Sequence, residues 1–273
     1  MTVHHAEHDG VRIAYEVRAD TPDAPWAVLV HGIGYGRWGW GPTAEALAEH
    51  ANLVLVDNRG IGDSDVPPGP YDAATMAGDI VAVLDAAGLD RAHLVGTSLG
   101  GMIAQQVAAG WRERVATLVL VATTPGGADA LPVPAATQRL IAEAQDMDPA
   151  EALRALTANA LSAQARERDP DLLDRVVALR AANPPDPVGW QAQVAAGVGY
   201  DGGGAERGIR ARTLVVHGTA DAVVDPANAP LLAERIPHAQ LVTLDGAGHL
   251  LPFEAPERLA EVVSRFIVGQ DLP

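Results

Sequence analysis

Short apolar runs alternate with stretches of helical periodicity along most of the chain. Each short run is typical of a strand that is buried on both faces of a sheet, and these runs predict strands at residues 26–30, 53–56, 92–96, 116–121, 213–216 and 240–244. The stretches between them predict helices at residues 42–50, 73–87, 98–110, 226–235 and 256–268. This alternation predicts an α/β fold with a mostly parallel, twisted sheet and helices on both faces.

The first residues depart from the parallel pattern. Asp9-Gly10 favours a tight turn, so we expect two short strands around it, the second at residues 11–17. His4, His5 and His8 lie near the chain terminus, where we expect frayed polar residues rather than a metal site. Because no His-Glu-x-x-His or similar ligand spacing occurs, we predict no metal and no cofactor.

The alternation of strand and helix stops between Thr124 and about Arg210. Helical stretches at residues 149–161 and 170–181 are separated there by Pro- and Gly-rich joints. We interpret residues 125–208 as a helical cap, or lid, because they fall between two strands whose ends carry the candidate catalytic residues. Residues 1–124 and 209–273 would then form the catalytic core. An ordinary surface insertion without a role in binding is the alternative.

The net charge of −16, from 19 basic and 35 acidic residues, bears on possible partners. An acidic surface repels phosphate backbones and anionic lipids, so we expect neither nucleic acid nor a membrane as a partner. The first ten residues contain no apolar signal core, and no apolar run approaches the roughly 20 residues that span a bilayer. We therefore expect a cytoplasmic protein; the sequence gives no indication of its oligomeric state.

The chain contains neither cysteine nor lysine. Without cysteine, disulfides, thiolate metal sites and cysteine nucleophiles are excluded. Without lysine, Schiff-base catalysis, attachment of pyridoxal phosphate and a phosphate-binding lysine loop are impossible. Several enzyme classes are thereby removed from consideration.

The segment Gly96-Thr97-Ser98-Leu99-Gly100 directly follows a predicted strand and opens a predicted helix. A serine on such a sharp turn projects its hydroxyl above the sheet, and glycines two residues to either side avoid crowding of the turn. The helix N-terminus adds backbone N–H groups and the positive end of a dipole. We therefore predict that Ser98 is a nucleophile; a purely structural Gly-rich turn is the alternative.

A serine hydroxyl needs a base to take its proton, and in sites of this kind an acid and then a histidine follow the serine along the chain. Asp221 follows the predicted strand at 213–216, and His249 follows the one at 240–244 in a Gly-rich loop. Both loops leave the C-terminal edge of a parallel sheet, as Ser98 does, so the three residues can converge. We predict Asp221 as the orienting acid and His249 as the general base.

Other acids and histidines nearby have simpler expected roles. Asp225 directly precedes a proline and is expected to cap a helix, and Asp245 is too close to His249 along the chain to orient it. His31 and His217 each precede a glycine at a strand end, where we expect hydrogen bonds to the loop backbone.

The charge that develops on a substrate carbonyl oxygen requires N–H donors. We predict the N–H of Leu99 as one donor, because it follows the nucleophile, and the N–H of Ile33 as the other, with Gly34 as the fallback. We also expect Gly32 and Gly34 to contact the substrate. The cap is rich in Ala, Leu and Val, which predicts an apolar or mixed acyl pocket with Trp190 as a candidate contact.

Together these segments resemble the α/β-hydrolase superfamily. The matching segments are His31-Gly32, residues 57–64, residues 96–100, Gly218-x-x-Asp221, Gly248-His249 and Glu254-x-Pro256-Glu257. The resemblance is nearest to serine esterases and lactonases, of the enol-lactonase-like and anthracycline methylesterase-like groups. It implies the α/β-hydrolase fold, and it implies that Asp57 and Arg59 are structural. Serine at position 98 disfavours the haloalkane dehalogenases and epoxide hydrolases of this fold, which need an aspartate nucleophile.

Residues and resemblance together predict a metal-independent serine hydrolase. It would cleave a carboxylic ester or lactone of a small molecule through an acyl-enzyme at Ser98. Hydrolysis of a carbon–carbon bond and cofactor-free perhydrolysis on the same three residues are alternatives. A ligand-binding sensor that retains a hydrolase pocket is an alternative from another class.

Overall fold

A computed structural model describes residues 2–272 of the chain. Its strands are β1 (Val3–His8), β2 (Val11–Arg18), β3 (Trp26–Val30), β4 (Asn52–Val56), β5 (Ala92–Thr97), β6 (Val115–Val121), β7 (Arg212–Gly218) and β8 (Gln240–Leu244). They form one sheet in the order β1-β2-β4-β3-β5-β6-β7-β8. β2 pairs antiparallel with both β1 and β4, and all the other neighbouring strands are parallel.

Helices cover both faces of this sheet. They are α1 (Gly41–Ala48), α2 (Ala73–Ala86), α3 (Leu99–Gly110), α4 (Ala135–Glu143), α5 (Pro149–Ala160), α6 (Ala163–Arg168), α7 (Leu172–Ala182), α8 (Pro187–Val198), α9 (Asn228–Arg235), α10 (Leu251–Glu254) and α11 (Pro256–Ile267). α4 to α8 lie between β6 and β7, and residues 125–208 are called the inserted segment below. Within residues 2–272, no helix is long and apolar enough to cross a membrane.

The predicted fold class is confirmed. Outside the inserted segment, each predicted strand and helix is present, with its ends within two residues of the prediction. Within that segment the prediction found α5 and α7 but missed α4, α6 and α8. The expectation of a frayed terminus was wrong, because His4, His5 and His8 belong to β1, which is paired with β2 along its length.

Alternation of side chains along the central strands explains why helices cover both faces. Val28 and Val30 of β3 pack in an apolar core with α2 and α3, whereas Ala27 and Leu29 pack in a second core with α1 and α11. The sheet is thus buried on both sides. Its C-terminal edge remains for the loops that carry the candidate site.

A third, smaller apolar cluster joins the inserted segment to the core. Tyr35 and Phe253 of the core pack there with Leu161, Leu172 and Val176 of the inserted segment. This cluster includes Leu250, the residue after His249. The inserted segment is therefore packed against the loop that carries the predicted base.

The N-terminus of α3 makes a backbone-to-backbone contact with the end of β3. A Cβ atom at Gly100 would overlap the carbonyl groups of Val30 and His31, and one at Gly96 would overlap the backbone of Gly100. Only glycine permits this approach. At the other end of the same helix, a Cβ at Gly110 would meet no atom within 4 Å.

We predict that Gly100→Ala lowers the free energy of unfolding by at least about 1–3 kcal/mol, the usual cost of overpacking, because the obstructing atoms are backbone. Gly110→Ala is the matched control. It is expected to be neutral or stabilising by up to about 1 kcal/mol, because alanine is the better helix former. Urea unfolding followed by circular dichroism measures both; equal stabilities of the two variants would contradict the role assigned to the Gly100 contact.

Candidate active site

Ser98 lies at the turn between β5 and α3 with an unusual backbone conformation. Its φ of 54° and ψ of −120° fall in a region that residues other than glycine rarely adopt. The turn is held by a hydrogen bond of 2.9 Å from the Ser98 N–H to the carbonyl of Val121, and by the Thr123 hydroxyl, which donates to the Ser98 carbonyl at 2.7 Å. Such strain is characteristic of a nucleophile elbow.

The side chain of Ser98 lies against the loop that follows β3. A Cβ atom built on Gly32 would lie 2.9 Å from the Ser98 Cβ and 3.3 Å from its Oγ. The hydroxyl therefore lies next to the backbone of Gly32, where a side chain would not fit. The predicted nucleophile thus lies next to the loop after β3 (residues 31–34), which carries the predicted oxyanion donor Ile33 and is called the oxyanion loop below.

Asp221 and His249 are brought together by the loops after β7 and β8. Nδ1 of His249 lies 2.8 Å from Oδ2 of Asp221. Because an ionised carboxylate only accepts, His249 carries its proton on Nδ1 and its Nε2 is left as a proton acceptor. Among the hydrogen bonds formed by residues 2–272, none joins Ser98 to His249.

Asp221 is held by a set of donors that converge on its carboxylate. Oδ1 accepts from the N–H groups of Val223 and Val224 at 2.8 and 2.9 Å, and Oδ2 accepts from both His249 and His217. Asp225, the competing acid, accepts from the N–H of Ala227 in the turn that leads into α9; because the N-cap residue of α9 is Ala227, without a side-chain cap, the predicted capping role of Asp225 was wrong.

The expectation for His217 was incomplete. Its Nε2 does contact a loop carbonyl, that of Val224, at 3.2 Å, but it also lies 3.0 Å from Oδ2 of Asp221. Both partners are acceptors, so Nε2 of His217 must carry a proton. Sequence reasoning had the relevant signal, a histidine four residues before the acid, but did not use it.

Electrostatics separate the roles of the buried groups. Burial raises the pKa of Asp221, but the adjacent charge of His249 and the hydrogen bonds from His217 and His249 outweigh it and hold that pKa well below its usual range. Burial lowers the pKa of His249, but the carboxylates of Asp221 and Glu254 outweigh it and raise that pKa above its ordinary value of 6.5. Asp221 therefore stays ionised while His249 titrates.

His31 differs from His249 although the two are close neighbours. Burial, and then repulsion by His249, lower the pKa of His31 to about 3, so its ring is neutral at ordinary pH. Its Nδ1 accepts from the N–H of Gly32 at 2.7 Å, as the expected bond to loop backbone requires. The ring also stacks on Tyr35 at 4.7 Å between centroids. His31 thus shapes the oxyanion loop.

The backbone N–H groups of this loop have different partners. Within residues 2–272, the N–H groups of Ile33 and Leu99 have no hydrogen-bond acceptor. The N–H of Gly34, the fallback donor, is bonded at 2.9 Å to Oε1 of Gln193 in α8 and is not available. The geometry therefore favours Ile33 and Leu99 as the pair that could receive an oxyanion.

Trp190 of α8 lies against the same loop. A Cβ at Gly34 would be 3.2 Å from its Cδ1, and its side chain remains 40% exposed. Trp190 therefore lies against Gly34, in the same loop whose Gly32 lies against Ser98.

Glu254 is a buried carboxylate near His249 to which sequence reasoning assigned no role. Its Oε2 accepts from the N–H of Gly248 at 2.8 Å, and its Oε1 accepts from the N–H of Ser162 at 3.3 Å. The His249 N–H donates to the carbonyl of Ala160 at 2.9 Å. Glu254 thereby connects the inserted segment to the loop that carries His249, which is called the histidine loop below.

Asp57 and Arg59 are placed as structural residues, as the resemblance implies. Asp57 accepts from the N–H groups of Arg37 and Asp63 at 2.7 and 3.0 Å. The guanidinium of Arg59 forms two hydrogen bonds with the carboxylate of Asp79, at 2.7 and 2.6 Å, and both side chains are buried. In the part of the chain that the structure describes, no group of three or more His, Asp or Glu residues is placed to hold a metal ion.

Comparison with known proteins places these features in a family. A family model of the alpha/beta hydrolase fold matches residues 25–256. The chain is 29% identical over 262 residues to a poly(3-hydroxyalkanoate) depolymerase from Ectopseudomonas oleovorans, covering 96% of this chain and 90% of that one.

Solved structures give the same result. The enol-lactonase from Burkholderia xenovorans superposes with a TM-score of 0.84 at 27% identity, covering 97% of this chain and 99% of that one. An esterase from a Rhodococcus species superposes with a TM-score of 0.83 at 30% identity, covering 99% and 100%. With a family model that spans most of the chain and an eight-stranded sheet of the matching kind, this protein belongs to the alpha/beta hydrolase fold family.

Proposed function

We propose that this hydrolase cleaves a carboxylic ester or a lactone of a small molecule through an acyl-enzyme at Ser98. The observation that carries the proposal is the surroundings of Ser98. A serine at positive φ faces a loop whose Ile33 N–H is unpaired within residues 2–272, as is that of Leu99. The loops after the neighbouring strands β7 and β8 carry a hydrogen-bonded Asp221–His249 pair.

The first step is attack on the carbonyl carbon. Nε2 of His249 takes the Ser98 proton as Oγ forms the new bond, and the carbonyl oxygen becomes an oxyanion. The N–H groups of Leu99 and Ile33 donate to this oxygen. His249 then gives its proton to the leaving alkoxide as the ester bond breaks, which leaves the acyl group on Ser98.

Water completes the cycle by the same route. His249 takes a proton from water, hydroxide adds to the acyl carbon, and Ser98 leaves with the proton returned by His249. Asp221 holds the histidine tautomer and stabilises the imidazolium without being protonated. This chemistry requires neither a metal nor an organic cofactor.

The comparisons support acyl chemistry of this kind. Three of the similar proteins are named as a poly(3-hydroxyalkanoate) depolymerase, an enol-lactonase and an esterase, and these names support hydrolysis at an ester or lactone carbonyl. We propose further that the inserted segment forms the lid of this site, because Trp190 and Ala160 lie against the oxyanion loop and the histidine loop.

We expect Ser98→Ala to reduce ester and lactone hydrolysis by about 10⁴-fold or more, because the nucleophile is removed. Ser264→Ala, a change on α11 remote from the site, is the control and should keep full activity. A panel of nitrophenyl esters, simple lactones and a vinylogous ketone measures the rates, and a fluorophosphonate probe measures labelling of Ser98.

Most of the rate remaining in Ser98→Ala would refute the proposal. A binding protein would give no burst and no label, and turnover of the ketone alone would indicate a carbon–carbon hydrolase.

The pH dependence of kcat/KM should report His249. The protonated ring cannot accept the Ser98 proton, and its pKa is raised by Asp221 and Glu254, so activity should fall as the pH drops through a midpoint above about 6.5. His31 should not contribute, since its pKa is about 3. A midpoint at or below the ordinary histidine value, measured with an uncharged ester, would contradict this.

His217 should tune that midpoint through Asp221. Its hydrogen bond takes up part of the carboxylate's charge, so His217→Leu should strengthen the attraction between Asp221 and His249 and move the midpoint to higher pH. His217→Gln keeps an N–H donor of similar reach and serves as the control. NMR titration of the His249 ring gives the same information independently of activity; an unchanged pKa in His217→Leu would show that His217 only fills space.

A further inference from the structure

α8 of the inserted segment packs against the core through small residues on one face. Backbone meets backbone where Gly189 crosses Gly60, since a Cβ on Gly189 would overlap the Gly60 carbonyl. Farther along the helix, a Cβ on Gly197 would lie 2.9 Å from Cδ1 of Ile33. Positions 189, 193 and 197 are four residues apart and share one side of the helix. This helix is therefore docked directly on the loop that carries the oxyanion donors.

Gln193 lies in the middle of this face, and its side chain is fully buried. Its Oε1 accepts from the N–H of Gly34 at 2.9 Å, and its Nε2 donates to the carbonyl of Arg59 at 2.8 Å. One amide thus pairs with two loops that follow adjacent strands, β3 and β4. A buried amide is costly unless it is paired, and each end of this one has a partner of matching polarity.

The bond to Gly34 determines which N–H group of the loop is available. Because Gln193 occupies the N–H of Gly34, the peptide plane between residues 33 and 34 is fixed. The N–H of Ile33, on the neighbouring peptide, is left without an acceptor within residues 2–272, beside Ser98.

We propose that Gln193 is a positioning residue that fixes the oxyanion loop, so that the inserted segment contributes to transition-state stabilisation as well as to substrate contact. The inference rests on the proposed function, because it concerns the same oxyanion. Gln193 does not touch the reacting atoms; it acts through Gly34 on the orientation of the Ile33 N–H. An oxyanion donor must be placed within a few tenths of an ångström, which is why a second, buried amide is required behind it.

The test compares Gln193→Met with Gln191→Met on the same helix. Methionine keeps the length of the side chain and removes both hydrogen bonds, and Gln191 is exposed and makes no such contact. We expect kcat for an activated ester to fall about 10- to 100-fold in Gln193→Met, with KM changed less than threefold, because a misplaced donor weakens binding of the transition state more than that of the substrate. Gln191→Met should match the wild type.

A second readout does not depend on turnover. The N–H of Gly34 should exchange slowly with deuterium in the wild type and faster in Gln193→Met, as measured by NMR. If Gln193→Met does not fold, Gln193→Asn replaces it, since its shorter amide cannot reach Gly34 and Arg59 together and should show the same loss of kcat.

The outcomes separate the two proposals. An active wild type, an inactive Ser98→Ala and an unimpaired kcat in Gln193→Met would overturn the role of Gln193 and leave the proposed function intact. Equal exchange of Gly34 in wild type and variant would also overturn it. A wild type that neither hydrolyses the panel nor takes up the fluorophosphonate would instead refute the proposed function.

Discussion

The contact between the backbone of α3 at Gly100 and the carbonyl end of β3 determines the geometry of the candidate site. It brings the first turn of the helix so close to the sheet that the chain must reverse sharply at Ser98, which takes a φ of 54° as a result. The same approach places the side chain of Ser98 against Gly32, at the start of the loop that follows the neighbouring strand β3. The strain at Ser98 is thus maintained by the close packing of α3 on the sheet, and it would relax if the helix moved outward.

Buried charge around the loop that carries His249 keeps Asp221 ionised and raises the pKa of His249, while burial keeps His31 neutral. Asp221 receives four donors and stays ionised, while His31 is kept neutral by burial among aromatic rings. Glu254 is the second carboxylate that raises the pKa of His249, and it does so while satisfying backbone N–H groups. Glu254 therefore both raises the pKa of His249 and holds the backbone of the loop that carries it.

Sequence reasoning predicted the parts of this protein that are local in the chain. Strand runs, the turn at Ser98 and the loops with Asp221 and His249 follow from apolar patterns, glycine spacing and the order of residues. Contacts between distant segments were not predictable in this way. Gln193 and Gly34 lie 159 residues apart, and nothing in the helical pattern of residues 187–198 distinguishes a buried glutamine from an exposed one. The contact of His217 with Asp221 was predictable, because the two residues are only four apart in the chain. It was missed because His217 was expected to bond to loop backbone.

The inserted segment is less independent of the core than its place in the sequence indicates. Through Ala160 and Ser162 it holds the backbone around His249, and through Gln193 and Gly189 it holds the loops around Gly34 and Gly60. Several of these contacts involve backbone groups or small residues that leave no room for adjustment. A segment that only covered the site could change its sequence freely with the substrate. Under the proposed function, the residues of α8 that face the core are constrained by the geometry of the chemistry, whereas a partly exposed residue such as Trp190 is free to vary with the substrate. The same proposal implies that substrate preference changes at the exposed positions of α8, while its buried face is held by Gly189, Gln193 and Gly197.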